Sequence, residues 1–235
     1  MSASRLFISL LGPPNSGKST LSDALCARLD AHVIRPRDAI RQTITMQPYA
    51  ADLFDPVDDL GWASDYALAY ALRTAIDGLS PVIPRVLLEN LPWDALQLLD
   101  LHNTVSRTSS TLVVLFVDAP DDILMERGSR RRVCQACELD PMKEPRRPAL
   151  AVKDDAERCG TCGSRLAVRP DDTPLILGRR IERSRRYLGQ IRRHADGARI
   201  QIHRLDGTQP ADEVANAAFA ILCRFAEIIS EGESA

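Results

Sequence analysis

The amino-acid sequence predicts an α/β fold in which a five-stranded parallel sheet is flanked by helices on both faces. Two observations predict it. Five short segments are apolar almost throughout, as expected for strands that are buried on both faces of a parallel sheet. Longer segments with helical periodicity alternate with them, which is the order of β-α-β units. The chain has 235 residues, and 45% are hydrophobic, so it is long enough for one such domain with small insertions.

Each predicted element follows from its local pattern. The strands are short apolar runs, at 5–12, 32–36, 85–92, 111–120 and 199–207. The helices are longer periodic segments, from Lys18 to Leu29, over most of 38–78 and at 211–229. A stretch with two prolines and a glycine, PYAADLFDPVDDLG, is predicted to interrupt the second helical region as a loop at 48–61.

The charge balance excludes some classes of protein. Thirty Lys and Arg residues against thirty-two Asp and Glu give a net charge of −2, which argues against a bulk nucleic-acid or membrane-surface protein. Eighteen of the thirty basic residues lie between Arg127 and Arg193, which favours a local anionic ligand. No apolar run approaches the roughly eighteen residues of a membrane span, so we expect no membrane partner. Four of the six cysteines are spaced like metal ligands, which suits a reducing cytoplasm.

A phosphate-binding motif lies between the first strand and the first helix. The segment GPPNSGKST satisfies G-x-x-x-x-G-K-[ST], whose backbone N–H groups face phosphates at the positive end of the following helix. Lys18 is expected to bridge the β- and γ-phosphates of ATP, and Ser19 to ligate Mg²⁺. This motif predicts the P-loop NTPase fold. The residues expected to bind ATP here are Gly12, Pro13, Asn15, Ser16, Gly17, Lys18, Ser19 and Thr20.

A magnesium site in such a loop needs a carboxylate, and two residues are candidates. Glu89 ends the third predicted strand, at the edge of the sheet where these folds bind ligands. Asp118 ends the fourth strand and is the rival candidate. The sequence favours Glu89 without excluding Asp118.

Four arginines flank the middle of the chain and suit phosphoryl transfer, which needs cations around the migrating group. Arg127 and Arg131 are four residues apart, so a helix would place them on one face. Arg169 and Arg180 are eleven apart, close to three helical turns. We expect Arg127, Arg131, Arg169 and Arg180, together with Lys18, to supply this positive charge.

Four cysteines lie between these arginines. Cys134, Cys137, Cys159 and Cys162 form C-x₂-C-x₂₁-C-x₂-C, the spacing of a tetrahedral thiolate site for Zn²⁺. The alternative is two redox pairs. The four thiolates fill the coordination sphere, and no histidine or carboxylate is available for an open catalytic position, so the expected zinc is structural. A segment too small for a hydrophobic core of its own would take its folding energy from the metal.

These motifs resemble, in order, those of the adenylate kinase family of nucleoside monophosphate kinases, in its zinc-containing bacterial form. The resemblance covers almost the whole chain. RPRDAIR resembles the start of the monophosphate-binding helix, which implies Asp38 and Arg41 as acceptor-binding residues. LLENLPWDALQLLD resembles the acceptor-reading segment, with Gln97 matching a base-contacting glutamine. The resemblance also implies a core of 1–35, 79–131 and 170–235, a helical acceptor-binding insertion at 36–78 and a zinc lid at 132–169.

The chain departs from the family pattern in its acceptor segment. Trp93 stands where the family has a phosphate-gripping arginine, and Pro36 and Arg37 replace a threonine and a glycine. Trp93 either stacks on the acceptor or packs against Leu91 and Leu96. Another arginine, Arg37 or Arg85, is a candidate to supply the lost charge.

Three functions remain open from the sequence. The first is an ATP- and Mg²⁺-dependent kinase that phosphorylates a nucleoside monophosphate, most simply AMP. The second uses the same chemistry on a modified nucleotide or another small molecule. The third is a non-catalytic protein that binds nucleotide or nucleic acid, which the near-zero net charge disfavours. For the kinase we expect a cytoplasmic monomer or weak homodimer.

Overall fold

A computed structural model describes residues 4–58, 62–138, 149–169 and 172–232. The strands are β1 Leu6–Leu11, β2 His32–Ile34, β3 Arg85–Glu89, β4 Thr111–Asp118, β5 Arg132–Val133, β6 Ala151–Val152, β7 Asp155–Cys159, β8 Ala167–Val168 and β9 Ile202–Asp206. The helices are α1 Lys18–Leu29, α2 Pro36–Met46, α3 Asp65–Asp77, α4 Ala95–Arg107, α5 Asp121–Arg130, α6 Pro174–Gly197 and α7 Ala211–Gly232. Short 3₁₀ turns occupy Pro48–Phe54 and Ala136–Glu138.

Five parallel strands form the central sheet, in the order β2-β3-β1-β4-β9. This confirms the predicted fold class. Since β3 and β4 both pair with β1, the segments that follow these three strands meet at one edge. Ligands of doubly wound sheets bind at this carboxyl edge. The first helix begins at Lys18 and ends at Leu29, as predicted.

Alternate side chains of β1 point to opposite faces of the sheet, and each face is covered. Leu6, Ile8 and Leu10 pack with α1 and α7, through residues such as Leu25 and Leu222. On the other face, β1 contributes to two clusters, one with α3 and α4 and one with α4 and α6. The helices thus hold both faces of the sheet out of water, and its carboxyl edge remains for the site.

The helical region after β2 forms two helices and a 3₁₀ turn. Helices α2 and α3 pack against each other and onto the sheet through small and aliphatic side chains such as Ala39, Ala71 and Leu72. The predicted loop at 48–61 starts instead as the 3₁₀ turn Pro48–Phe54, and its last three residues lie outside the described residues. We refer to residues 36–78 as the helical insertion.

Residues 132–169, the cysteine segment, carry two small antiparallel pairs, β5 with β8 and β6 with β7. The proline- and arginine-rich stretch predicted as a loop, 140–148, lies outside the described residues. In the part of the chain that the structure describes, no helix combines the length and apolarity that crossing a membrane requires.

Candidate active site

The phosphate loop joins β1 to α1, and its glycines are needed where the backbone comes close to its neighbours. A Cβ added to Gly12 would lie 2.3 Å from the Val117 carbonyl oxygen. Gly17 has a φ of 99°, a conformation that side chains rarely adopt. Asn15 also has a positive φ, 62°, which asparagine tolerates better than most residues. The loop is thus held in one shape by β1 and β4.

Lys18 lies inside this loop. Its Nζ donates hydrogen bonds to the Gly12 and Pro13 carbonyl oxygens, at 2.6 and 2.7 Å. Desolvation lowers the pKa of Lys18 to about 7; the Glu89 carboxylate opposes this shift, and the positive charges of Arg180 and Arg131 add to it. The structure therefore gathers Lys18, Glu89 and two of the predicted arginines close enough to influence one another.

Glu89 ends β3 beside the start of α1, because β3 and β1 are paired up to Leu10 and Glu89. Its Oε1 accepts a hydrogen bond from the Ser19 hydroxyl at 2.6 Å, and its Oε2 accepts one from Arg35 Nε at 2.9 Å. The Glu89 side chain is almost buried. A hydroxyl and a carboxylate in contact form the hard oxygen donor set that Mg²⁺ prefers, so these residues fit that ion.

Asp118, the rival carboxylate, has different neighbours. It pairs with Arg185, and its Oδ2 accepts from Arg204 Nη2 at 3.0 Å. Arg185 also donates to the Ala119 carbonyl and to Asp121, so it ties the end of β4 to α6. Asp118 therefore neutralises two arginines, and of the two candidates it is Glu89 that contacts Ser19.

The arginines reach the site in a way that the spacing did not predict. Helix α5 ends at Arg130, and Arg131 has an extended conformation, so the expectation that Arg127 and Arg131 share a helical face is wrong. Arg131 Nη1 instead donates to the Asn15 side-chain oxygen at 3.1 Å, which links it to the phosphate loop. Arg127 is half-buried on α5.

Arg169 and Arg180 do not lie on one helix either. Helix α6 begins at Pro174, after Arg169, so the three-turn interpretation of their spacing is wrong. Arg169 is buried and pairs with buried Asp172, with Nη2 and Oδ1 3.1 Å apart. Arg180 is the seventh residue of α6, and its charge lowers the pKa of Lys18. Asp171 falls outside the described residues.

The predicted acceptor residues lie on two helices, Asp38 and Arg41 on α2 and Gln97 on α4. Asp38, in the first turn of α2, is 3.8 Å from Arg35 and 3.9 Å from Arg41. Gln97 is buried, and its amide binds backbone on both sides: Oε1 accepts from the Trp93 N–H at 2.8 Å, and Nε2 donates to the Asp65 carbonyl at 3.1 Å. Gln97 thus connects α4 to the start of α3.

Trp93 contacts two aromatic side chains from distant segments of the chain. Its ring meets Trp62, with centroids 4.7 Å apart and planes at 87°, and Tyr187, at 5.5 Å. Leu96, considered as a packing partner, is three-quarters exposed, and stacking of Trp93 on an acceptor stays a prediction. No pattern in the sequence pointed to Trp62 or Tyr187, because each belongs to a segment far from Trp93 in the chain.

The two arginines considered as replacements for the family arginine are placed differently. Arg37 is exposed on α2. Arg85 begins β3 and donates to the Leu29 carbonyl at 3.2 Å, at the edge of the sheet opposite Glu89. Arg35, for which the sequence predicted no role, contacts Glu89.

The four cysteines of the cysteine segment converge. Their Sγ atoms all lie within 4.8 Å of one another, with Cys134 and Cys162 at 3.4 Å and Cys137 and Cys159 at 3.7 Å. Thiolates bound to one zinc at about 2.3 Å lie at comparable separations, so the cluster fits that ion. Hydrogen bonds from Ser164 lower the pKa of Cys162 to about 6, whereas the hydrogen bond with Cys162 raises the pKa of Cys137, so it is the convergence of the four sulfur atoms that favours a metal.

Comparisons with known proteins agree with this geometry. No protein-family model matches the chain. An adenylate kinase of Treponema pallidum (strain Nichols) is 26% identical over 207 residues, which cover 87% of this chain and 92% of that protein. An adenylate kinase of Gemmatimonas aurantiaca is 25% identical over 213 residues, covering 89% and 95%, and one of Chlamydia felis is 23% identical over 178 residues, covering 75% and 79%. The similarity runs through most of both chains in each comparison, so this chain is similar to adenylate kinases along most of its length.

Proposed function

We propose that the protein transfers the γ-phosphate of ATP to a nucleoside monophosphate, most simply AMP. The observation that carries this proposal is the contact between Ser19 and Glu89 at the end of the phosphate loop, 2.6 Å long, beside a lysine whose pKa is lowered to about 7. A hydroxyl, a carboxylate and an amine meet where the loop would hold a triphosphate, and this is the arrangement that phosphoryl transfer requires.

In the proposed reaction the phosphate loop holds the donor. Its backbone N–H groups bind the phosphate oxygens, and Lys18 exchanges its bonds to the Gly12 and Pro13 carbonyls for bonds to the β- and γ-phosphates. Ser19 and Glu89 would hold Mg²⁺, which would supply positive charge against the phosphates. The acceptor phosphate is already ionised, so no side chain has to remove a proton from it.

Arg131, Arg169 and Arg180 supply positive charge around the migrating group, and Arg127 contributes to binding ATP. Support comes from the link between Arg131 and Asn15 and from the effect of Arg131 and Arg180 on Lys18. A guanidinium keeps its charge in such crowded surroundings, whereas an amine loses it. In this proposal the cysteine segment, 132–169, is a lid that carries Arg169 and excludes water, and a structural Zn²⁺ on its four thiolates holds the lid folded.

The acceptor is proposed to bind between the helical insertion and the carboxyl end of β3. In this proposal Asp38 and Arg41, which lie 3.9 Å apart on α2, and Trp93 and Gln97, which are hydrogen-bonded to each other after β3, bind the acceptor. Because Gln97 is bound to backbone on both sides, its part would be to hold Trp93 and Asp65 in place around the acceptor.

The experiment that tests the proposal is ADP release from Mg-ATP with AMP, CMP, UMP, GMP or dTMP, with a control that lacks acceptor. We expect turnover with AMP, and a Lys18→Met variant should lose about a hundredfold or more of it while keeping its circular dichroism spectrum. Undiminished turnover in that variant would exclude the assigned role of the phosphate loop.

A second candidate keeps the donor site and changes the acceptor to a modified nucleotide or another small molecule. The observation that favours it is the contact of Trp93 with Trp62, since an aromatic pair lies where the family has a phosphate-gripping arginine. ATP binding without turnover on any of the five monophosphates would support this candidate. The acceptor would then be sought among modified nucleotides and small phosphorylated metabolites.

A further inference from the structure

The two tryptophans of the chain touch each other across the acceptor region. Trp62 lies in the loop before α3, within the helical insertion, and Trp93 follows β3 in the core. Their rings meet edge to face at 4.7 Å, and Tyr187 of α6 contacts Trp93 from another direction at 5.5 Å. The aromatic contact therefore joins the insertion to two separate parts of the core.

Arg183 of α6 completes the contact. Its guanidinium lies over the Trp62 ring at 4.2 Å from the centroid, and it pairs with the Asp58 carboxylate of the same loop. Asp58 also accepts a hydrogen bond from the Trp62 backbone N–H at 3.2 Å. Arg183 and Asp58 are largely shielded from water, with side chains 17% and 23% exposed. We call these five residues the insertion clamp: Asp58, Trp62, Trp93, Arg183 and Tyr187.

Hydrogen bonds also connect the insertion clamp to the start of α3 and to α4. Tyr187 donates to the Asp65 side chain at 3.3 Å, at the start of α3. Gln97 links the Asp65 backbone to the Trp93 backbone, so the start of α3 is tied to both α4 and α6. Movement of the helical insertion away from the core would break the ion pair, the stacked guanidinium and the aromatic edge contact together.

We propose that Arg183 is a positioning residue for the acceptor, which acts by holding Asp58 and Trp62 against Trp93 and so fixes the helical insertion over the acceptor site. This inference rests on the proposed function, because it concerns the acceptor of that same site. The Arg183 guanidinium restricts the motion of the loop before α3, because its plane stacks on the Trp62 indole while its edge binds the Asp58 carboxylate. The protein thus holds the insertion in place through its own side chains, and the acceptor has less ordering to bring about when it binds.

Tryptophan fluorescence tests whether the clamp exists in solution. Since both tryptophans of the chain belong to it, the emission of the protein without ligand reports on the clamp alone. Arg183→Met keeps the length of the side chain and removes its charge and plane. We expect its emission to shift to longer wavelength, as the indoles become wetter. Asp58→Asn should give a similar shift, and Arg192→Met, an exposed arginine further along α6, should give none.

Steady-state kinetics test the positioning role. With AMP as the acceptor, we expect Arg183→Met and Asp58→Asn each to raise the KM for AMP about tenfold and to leave the KM for ATP unchanged within about twofold. Because both residues belong to one unit, the double variant should lose little more than either single variant. Arg192→Met should match the wild-type protein in both constants.

Three results would overturn the inference. Unchanged emission in both Arg183→Met and Asp58→Asn would mean that the clamp does not hold the tryptophans together. Equal increases in the two KM values would mean that Arg183 supports the whole fold and has no particular effect on the acceptor. Additive losses in the double variant would mean that Arg183 and Asp58 act separately. If the wild-type protein turns over none of the five monophosphates, the proposed function fails. The emission shift alone then shows whether Arg183 and Asp58 hold the two tryptophans together.

Discussion

The Oε1 oxygen of Glu89 accepts a hydrogen bond from the Ser19 hydroxyl at 2.6 Å, although 70 residues separate the two in the chain. The contact exists because β3 lies next to β1, which brings the carboxyl end of one strand to the helix that follows the other. Arg35 binds the second Glu89 oxygen, and this holds the carboxylate in its orientation. The pair is therefore the point at which the donor site can be tested most directly.

Replacing Glu89 with glutamine keeps the shape of the side chain and removes its charge. We expect kcat to fall about a hundredfold and the Mg²⁺ concentration for half-maximal activity to rise, since one anionic ligand is lost. The measurement is the rate of ADP release as a function of Mg²⁺. Asp118→Asn is the matched control: it should lower the melting temperature through its lost pairs with Arg185 and Arg204, with an unchanged Mg²⁺ dependence. A changed Mg²⁺ dependence in Asp118→Asn, with none in Glu89→Gln, would mean that Asp118 is the magnesium ligand.

The lowered pKa of Lys18 predicts proton uptake when ATP binds. At about pH 8 the amine of the nucleotide-free protein is mostly neutral, because its pKa is about 7, and phosphates beside it favour the charged form. Binding should therefore take up a proton at this pH, and less at about pH 6, where the amine is already charged. Calorimetry in buffers with different ionisation enthalpies measures the uptake. Lys18→Arg stays charged throughout, so equal uptake in both proteins at the higher pH would contradict the prediction.

The same pKa shift gives the pH dependence of stability in the nucleotide-free protein. The folded-state pKa of Lys18 lies below the usual value of 10.5, so between pH 7 and 10.5 the unfolded chain binds more protons at this residue. The contribution of Lys18 to the free energy of unfolding should therefore rise with pH through this window. Urea titrations of the wild-type protein and of Lys18→Met at two pH values check it. The free energy of unfolding of the wild-type protein, relative to that of the variant, should be higher at the higher pH.

Two helical glycines form a matched pair for testing how α5 and α6 are packed. A Cβ on Gly128 would lie 2.3 Å from Leu177 Cδ2 and 2.6 Å from Asn15 Nδ2, whereas a Cβ on Gly178 meets nothing within 4 Å. We expect Gly128→Ala to destabilise the protein by about 1–3 kcal/mol and to raise the KM for ATP, because Asn15 belongs to the phosphate loop. Gly178→Ala should stabilise it by about 0.5–1 kcal/mol. Thermal unfolding should show a lower melting temperature for Gly128→Ala and a higher one for Gly178→Ala. An unchanged melting temperature in Gly128→Ala would mean that α5 shifts to make room for the added methyl group.

Removing a ligand of the four-cysteine cluster should unfold the cysteine segment and leave the sheet intact. Cys159 is buried within the cluster, so Cys159→Ser should lose about one bound Zn²⁺ per chain and most of the activity, while the spectrum of the core persists. Metal analysis and circular dichroism measure the two effects. Cys223 lies outside the cluster, so the Cys223→Ser variant should keep its bound Zn²⁺. Freshly purified wild-type protein without zinc would contradict the assignment.

Much of the fold was predictable because it depends on local patterns. The apolar runs became the strands of the parallel sheet, and the bounds of α1 followed from a motif that ends where a helix must start. Even here, local patterns had limits. Spacing alone placed Arg127 and Arg131 on one helix, yet α5 ends at Arg130, and Arg169 precedes α6. A helical spacing predicts a shared face only if the helix continues, and tertiary contacts decide where it ends.

By itself, the sequence determined the order of strands and helices, the phosphate loop and the spacing of the four cysteines, since each depends on neighbours within a few residues. Only the tertiary structure showed that Glu89, and not Asp118, contacts Ser19: both strands lie beside β1, and the contact depends on which partners each carboxylate meets at the carboxyl edge of the sheet. It also decided the surroundings of Trp93, which come from Trp62 and Tyr187 in distant segments. Contacts of this kind arise when separate elements bury their side chains against one another, and no periodicity along a single chain specifies which partners will meet.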